Sequence, residues 1–255
     1  MNSMISLLLL TIFDSTRDSS QQYLAYFLLD HFASLPFMSA AQIQEEAHVS
    51  ASVLRRFYEQ LGFFSFKEFR SHFTTTRNVR LSQYVARFEN MSVEQMLETI
   101  RFLCPEPVID ADLLMECQRT ADMLYEAERI VFSGALFPLA LSLDLAEDLV
   151  IAGKKVRYWH LDQSHTMTKL SEDDLLLMIT ITGRFLPLTI KEFASVTESG
   201  DILFLSQKEP ILPDGVSTSL LRLPAMPDSN QANLMLLEIF NLIKYLYYQK
   251  YIFPD

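Results

Sequence analysis

From Glu128 onward the apolar residues of this 255-residue chain fall into short blocks that an all-helical fold could not use. Arg129–Phe132 (RIVF), Val156–Trp159 (VRYW), Leu175–Ile181 (LLLMITI), Ile202–Leu205 (ILFL) and Ser219–Leu223 (SLLRL) have the length and texture of buried strands. Helical patterns separate the first four: Leu139–Ala152 clearly, 162–170 weakly, and Leu186–Val196. Strands that alternate with helices require right-handed crossovers, which give a mostly parallel sheet covered on both faces. The segment Asn230–Tyr251 predicts a long closing helix. Its Leu, Ile, Phe and Tyr spread over more than one face, so part of it is expected to meet a second subunit.

The first half of the chain has a different period. Ile5–Phe13, Ser19–Ser34, Ala40–Ala47, Met91–Leu103 and Ala111–Ala127 carry apolar residues at helical spacing, and Pro105 and Pro107 separate the last two. Ser39 is placed to cap the third of these helices, and Ser50 to cap a following one. In VSASVLRRFYEQLGFFSFKEFRSHF, Val49 to Phe73, a wheel puts Val53, Leu54, Phe57 and Leu61 on one side. Ser52, Arg55, Arg56 and Glu59 fall on the other. Ser65, with Glu68 three residues on, begins a further helix over Phe66–Phe73 that carries Lys67 and Arg70. A short helix that buries one side and offers Ser and Arg on the other suits the major groove of DNA.

Net charge is −11, which by itself argues against a polyanionic partner, but the charge is unevenly spread. Residues 50–80 hold six basic and two acidic side chains, while residues beyond 80 carry the whole excess of acid. Counterion release needs locally concentrated positive charge, and an acidic body confines contact to the basic part. Cys104 and Cys117 fit neither a zinc nor a redox spacing and read as reduced thiols of a cytoplasmic protein. The five histidines show no metal spacing, and no metal or other cofactor is expected. The run Ile5–Phe13 is too short to span a bilayer.

The stretch from Val49-Ser50 to Arg56-Phe57, followed by Leu61-Gly62-Phe63 and Phe66-Lys67-Glu68-Phe69, resembles the helix-turn-helix domain of RpiR-type transcription regulators. In that family a sugar-isomerase (SIS) domain follows. The order of strands and helices here matches it, as do Asp144-Leu145-Ala146 and Gly153. The resemblance implies an α plus α/β architecture: a helix-turn-helix domain over 1–77, a helical linker over 78–127, and a Rossmann-like SIS domain over 128–255. It also implies a cytoplasmic, dimeric regulator of sugar or carbohydrate metabolism genes, a double-stranded DNA operator, and a sugar-phosphate effector. Two loops depart from the family pattern. Where the family has Gly-x-Gly-x-Ser, this chain reads Gly134-Ala135-Leu136-Phe137-Pro138. Where it has Ser-x-Ser-Gly-x-Thr, the chain reads Thr180-Ile181-Thr182-Gly183-Arg184-Phe185. His48 stands at a turn position where Gly is common.

The residues expected to meet DNA are therefore Ser50, Ser52, Arg55, Arg56, Lys67 and Arg70. Those expected to meet a small molecule are Gly134, Thr180, Thr182, Gly183 and Arg184. Each set has a plainer reading: a solvated charged face for the first, strand ends for the second. No P-loop, nucleophile elbow or paired catalytic carboxylates occur, so the chain is not expected to be an enzyme. A sugar-phosphate isomerase is the alternative, and a SIS domain that only dimerises, blind to any effector, is a third possibility.

Overall fold

The computed structural model describes residues 3–13, 19–104, 110–159, 170–182, 199–210, 212 and 218–254. Two compact units are present: Met1–Glu89 with Ala146–Val156, and Asn90–Leu145 with Arg157–Asp255.

The first unit is helical: α1 (Met4–Phe13), α2 (Ser19–Asp30), a short 3-10 turn at Leu35–Phe37, α3 (Ala40–Glu46), α4 (Ala51–Gln60) and α5 (Phe66–Asn90). Ser39 and Gln42 form a full capping box at the start of α3, and the Ser50 hydroxyl accepts from the Val53 N–H to start α4. The Ser65 hydroxyl does the same for α5, accepting from the Glu68 N–H, while the Glu68 carboxylate accepts from Phe64. The sequence predicted a helix ending at Phe73, but α5 runs unbroken for 25 residues. Thr74-Thr75-Thr76 is a poor helix former, yet buried Thr76 accepts a hydrogen bond from the Met4 N–H, a tertiary contact that favours the helical path. Residue 77 thus lies inside a helix, and the compact unit extends to Glu89.

The second unit holds most of an α/β layer. Its helices are α6 (Val93–Leu103), α7 (Asp110–Glu126), α8 (Leu136–Leu141) and the long α10 (Ser229–Tyr251), while α9 (Leu143–Ile151) contributes residues to both units. The pattern over Leu139–Ala152 predicted one helix. The chain makes two, separated at Ser142, whose hydroxyl bonds back to the Leu139 carbonyl and to the Tyr158 hydroxyl. Strands β1 (Arg129–Gly134), β2 (Lys155–Trp159), β3 (Asp174–Ile179), β4 (Asp201–Ser206) and β5 (Ser219–Arg222) form one sheet in the order β2-β1-β3-β4-β5. The pairs β1–β3, β3–β4 and β4–β5 are parallel, as expected from alternating strands and helices. Every residue of β3 is buried, which is why LLLMI is apolar without alternation. One face contributes Val131, Leu176, Met178, Ile202 and Phe204 to a core shared with Trp159 and Leu170. The predicted helices at 162–170 and 186–196 lie, wholly or nearly so, outside the described residues.

Helix α10 was expected to spend apolar surface on a second subunit. Within its own chain it packs on α6, α7 and α8, which take up most of that surface. Met235, Leu236, Ile239, Phe240, Leu242 and Ile243 are all buried, and buried Lys244 pairs with Asp144. At its far end Asp122 accepts from Lys250 and Tyr251, and the Tyr251 ring stacks on Tyr125 at 3.8 Å. Among large apolar side chains of this helix, Leu234 stays exposed.

The Arg129 guanidinium grips the Asp174 carboxylate with Nε at 2.9 Å and a second, shorter bond from Nη2, locking β1 to β3 at their starts. Burial works to raise the Asp174 pKa. The hydrogen bonds from Arg129 and the Ser171 N–H, with the guanidinium charge, outweigh it and hold the carboxyl below its ordinary value. A depressed carboxyl pKa stabilises the folded state above the unfolded pKa of about 3.9, and this is lost as pH falls through the folded value. Urea unfolding of wild type and Asp174→Asn is therefore expected to differ at about pH 7 and to converge as pH drops below about 4. A stability gap independent of pH would show that the pair contributes by shape alone.

Candidate functional site

Two surfaces gather the residues singled out by the sequence. The first is α4 with its flanking turns. Leu54 and Phe57 are buried and Val53 half-buried, while Ser52, Arg55, Arg56 and Glu59 are exposed, as the wheel predicts. The inward side rests on Phe69 of α5. Its fully buried ring meets Phe57, Phe63 and Phe73 edge-on, with centroids 6.4, 5.5 and 5.2 Å away. Such aromatic pairs are directional, worth about 0.5–1.5 kcal/mol each beyond their area, so they orient α4 as well as hold it.

Both ends of the turn system close in the same way. After α3 the Val49 N–H returns to the Gln44 carbonyl at 3.0 Å and the His48 N–H to Glu45 at 3.3 Å. After α4, Phe63 returns to Tyr58 and Gly62 to Glu59, each at 3.0 Å. This double return needs a left-handed residue just past the helix. Gly62 supplies it at φ 90, whereas at the first turn His48 takes φ 51, a strained choice for a residue with a Cβ.

On the exposed side the Ser50 hydroxyl caps α4 and lies 2.9 Å from the Ser52 hydroxyl. Arg55 pairs with Glu59 through Nε at 2.7 Å; that hydrogen bond, then the carboxylate charge, raises the guanidinium pKa further. Lys67 is exposed on α5. Arg70 departs from the expectation of a side chain reaching outward. It is half-buried, donates to the Met38 carbonyl at 3.3 Å and lies over the Phe66 ring. Nothing in the sequence pattern distinguishes Arg70 from Lys67, because Met38 is 32 residues away.

The second surface is a cleft of about 820 Å³ at the ends of β1, β3 and β4. The order 2-1-3-4-5 sends the chain to opposite sides of β1, and open parallel sheets place their crevices at such a switch point. Ala135, with Phe137 and Pro138 in the first turn of α8, lines it from one side, and Thr180, Ile181 and Thr182 from the other. Thr180 is buried and its N–H bonds to the Leu205 carbonyl; Thr182 is exposed. Gly134 has another task. A Cβ there would lie 2.1 Å from the Ile179 carbonyl oxygen, so glycine is what lets β1 end against β3. Gly183 and Arg184 lie outside the described residues.

Sequence reasoning missed the third wall, formed by Gln207 and by Met226–Asn233 at the start of α10. Asp228 accepts from the Asn230 and Gln231 N–H groups at 2.8 and 3.0 Å. The start of α10 is thus already met by the protein's own carboxylate, while the start of α8, which has no side-chain cap, lacks one N–H at Pro138. Among the described lining residues Asp228 is the one charged group. Among its described lining residues the cleft thus offers an anion one carboxylate and no cationic side chain.

Burial raises the pKa of both free thiols, Cys104 and Cys117. Among the described residues no cluster of His, Cys, Asp and Glu could hold a metal ion, and no helix is long and apolar enough to cross a membrane.

No family model matches the sequence, and no curated protein matches it either. Among solved structures it is similar to the Vibrio vulnificus NanR protein complexed with ManNAc-6P, at 16% identity and a TM-score of 0.44, covering 96% of this chain and 93% of that one.

Replacing His48 with Gly is expected to raise the stability of the protein by about 0.5–1 kcal/mol, since relief of the left-handed strain exceeds the entropy added to the unfolded chain. Thermal midpoints of wild type and His48→Gly test it. An unchanged or lower midpoint would mean that the imidazole stabilises the turn by more than its strain costs.

Proposed function

We propose that the protein is a DNA-binding regulator of transcription, acting as a dimer, with α4 as its recognition helix. The observation that supports this most is the α4 surface itself. Ser52, Arg55 and Arg56 project together from a capped helix set in the net-positive stretch of an otherwise acidic chain. Arginine can bond guanine bidentately in the major groove, serine hydroxyls can take bases or phosphates, and Lys67 lies near enough in sequence to add phosphate contact. Arg55 would exchange Glu59 for DNA on docking, at little cost because exposed helix pairs are weak. Two such helices in a dimer, one turn of DNA apart, would read a near-palindromic site.

In this reading the sheet unit dimerises and offers the cleft at its switch point to an effector. Control of carbohydrate genes follows from the family resemblance alone. The lining chemistry favours a neutral effector, or none, over a sugar phosphate. An isomerase would need a base aimed into the cleft, and the described carboxylate there, Asp228, is held by two backbone N–H groups.

The test is binding to duplexes enriched from a random pool by the wild-type protein. Arg55→Ala with Arg56→Ala is expected to weaken specific binding about a hundredfold or more and to reduce its salt dependence, while leaving the thermal midpoint unchanged. Undiminished affinity in the folded double variant would overturn the assignment of α4.

Calorimetric titration with glucose 6-phosphate is expected to show no saturable binding at the switch-point cleft, and Thr180→Val and Thr182→Val are expected to leave DNA binding unaltered. Micromolar affinity lost in Thr182→Val would establish a phosphosugar sensor there instead.

A further inference from the structure

The helical unit contains a cleft of its own, of about 410 Å³, a volume within the range of small-molecule sites. It lies between α1 and α5, apart from the exposed face of α4. His72, Thr75, Thr76, Val79, Arg80 and Gln83 line it from α5. Their spacing defines a single stripe of that helix, the kind of stripe that is apolar wherever a helix face is closed by packing. Here five of the six are polar, so the stripe is built to face something that forms hydrogen bonds.

The opposite wall supports this. Ser3 and Ser6 line the cleft, one just before α1 and one within it. Glu147 accepts from both the Ser6 hydroxyl and the Arg80 guanidinium; its side chain is 4% exposed and that of Arg80 19%. The carboxylate and guanidinium cancel in charge. The Ser3 hydroxyl oxygen is buried and has no partner among the described residues, although buried polar atoms almost always have one. An anion entering here would meet Glu147, and a cation would meet Arg80. Thr76 accepts from the Met4 N–H, and Thr75 and Ser6 donate to the Ser71 carbonyl and Glu147, so the remaining lone pairs of the Thr75 and Ser6 hydroxyls, the Ser3 hydroxyl and the exposed Gln83 amide are what the cleft offers, with Val79 as the one apolar contact.

We infer that this cleft binds an uncharged, polyhydroxylated molecule of about monosaccharide size. The inference does not depend on what α4 touches, and it assigns the molecule to a site separate from the switch-point cleft. Saturation-transfer NMR on the full chain tests it, with glucose, galactose, mannose and N-acetylglucosamine as neutral probes and glucose 6-phosphate as the charged counterpart. At least one neutral sugar is expected to receive saturation. The signal should be lost in Thr75→Phe, whose ring fills the cleft from an exposed position of α5, and kept in Thr182→Phe, which fills the other cleft. Gln83→Trp repeats the block from a second exposed position should Thr75→Phe fail to fold. Transfer to none of the neutral sugars, transfer that survives both blocking variants, transfer lost in Thr182→Phe, or glucose 6-phosphate binding as well as glucose would each overturn the inference.

Discussion

A helix of ten residues does not hold its shape in water, so α4 exists only because its apolar side is buried. The group it is buried against is Phe69. That ring touches Phe57 from α4, Phe63 from the following turn and Phe73 one turn along its own helix, and Phe73 in turn meets Phe32. Edge-on contacts fix angle as well as distance, which a smear of aliphatic side chains would not do. The direction in which Arg55 and Arg56 point is therefore set by a ring more than ten residues further along the chain. The caps and the left-handed turns refine this frame at either end of α4.

Charge explains why the two clefts differ. At the sheet's switch point a parallel fold usually has helix N-termini free to hold an anion. Here Asp228 satisfies the start of α10, and Pro138 removes a donor from the first turn of α8. In the helical unit, Arg80 and Glu147 neutralise each other at the edge of a hydroxyl-rich stripe. The two places thus differ in means: one occupies donors at a helix start, and the other pairs opposite charges.

Gly134 and His48 show how differently two unusual backbone positions can arise. A side chain at Gly134 would collide with the backbone of β3, so its glycine is a packing requirement and no longer needs a ligand to account for it. Glycine would suit position 48 better than the residue that is there, and the turn forms regardless because two returning hydrogen bonds and the capped start of α4 over-determine it.

Local chemistry made much of this legible in the sequence. Periodicity located the five strands to within a few residues and the starts of most described helices, Ser39, Ser50 and Ser65 announced three of those starts, and the wheel separated Leu54 and Phe57 from Arg55 and Arg56. These are interactions between residues close in the chain, so the sequence determined them. The tertiary structure decided the rest. It carried α5 past three threonines through a bond to Met4, and it turned Arg70 toward Met38 while leaving Lys67 exposed. It covered the many apolar faces of α10 with helices α6, α7 and α8 of the same chain, and it brought Asp228 to a cleft whose other walls lie some 50 to 90 residues earlier. In each case the deciding partner is distant in sequence, and a one-dimensional pattern carries no record of which distant groups will meet.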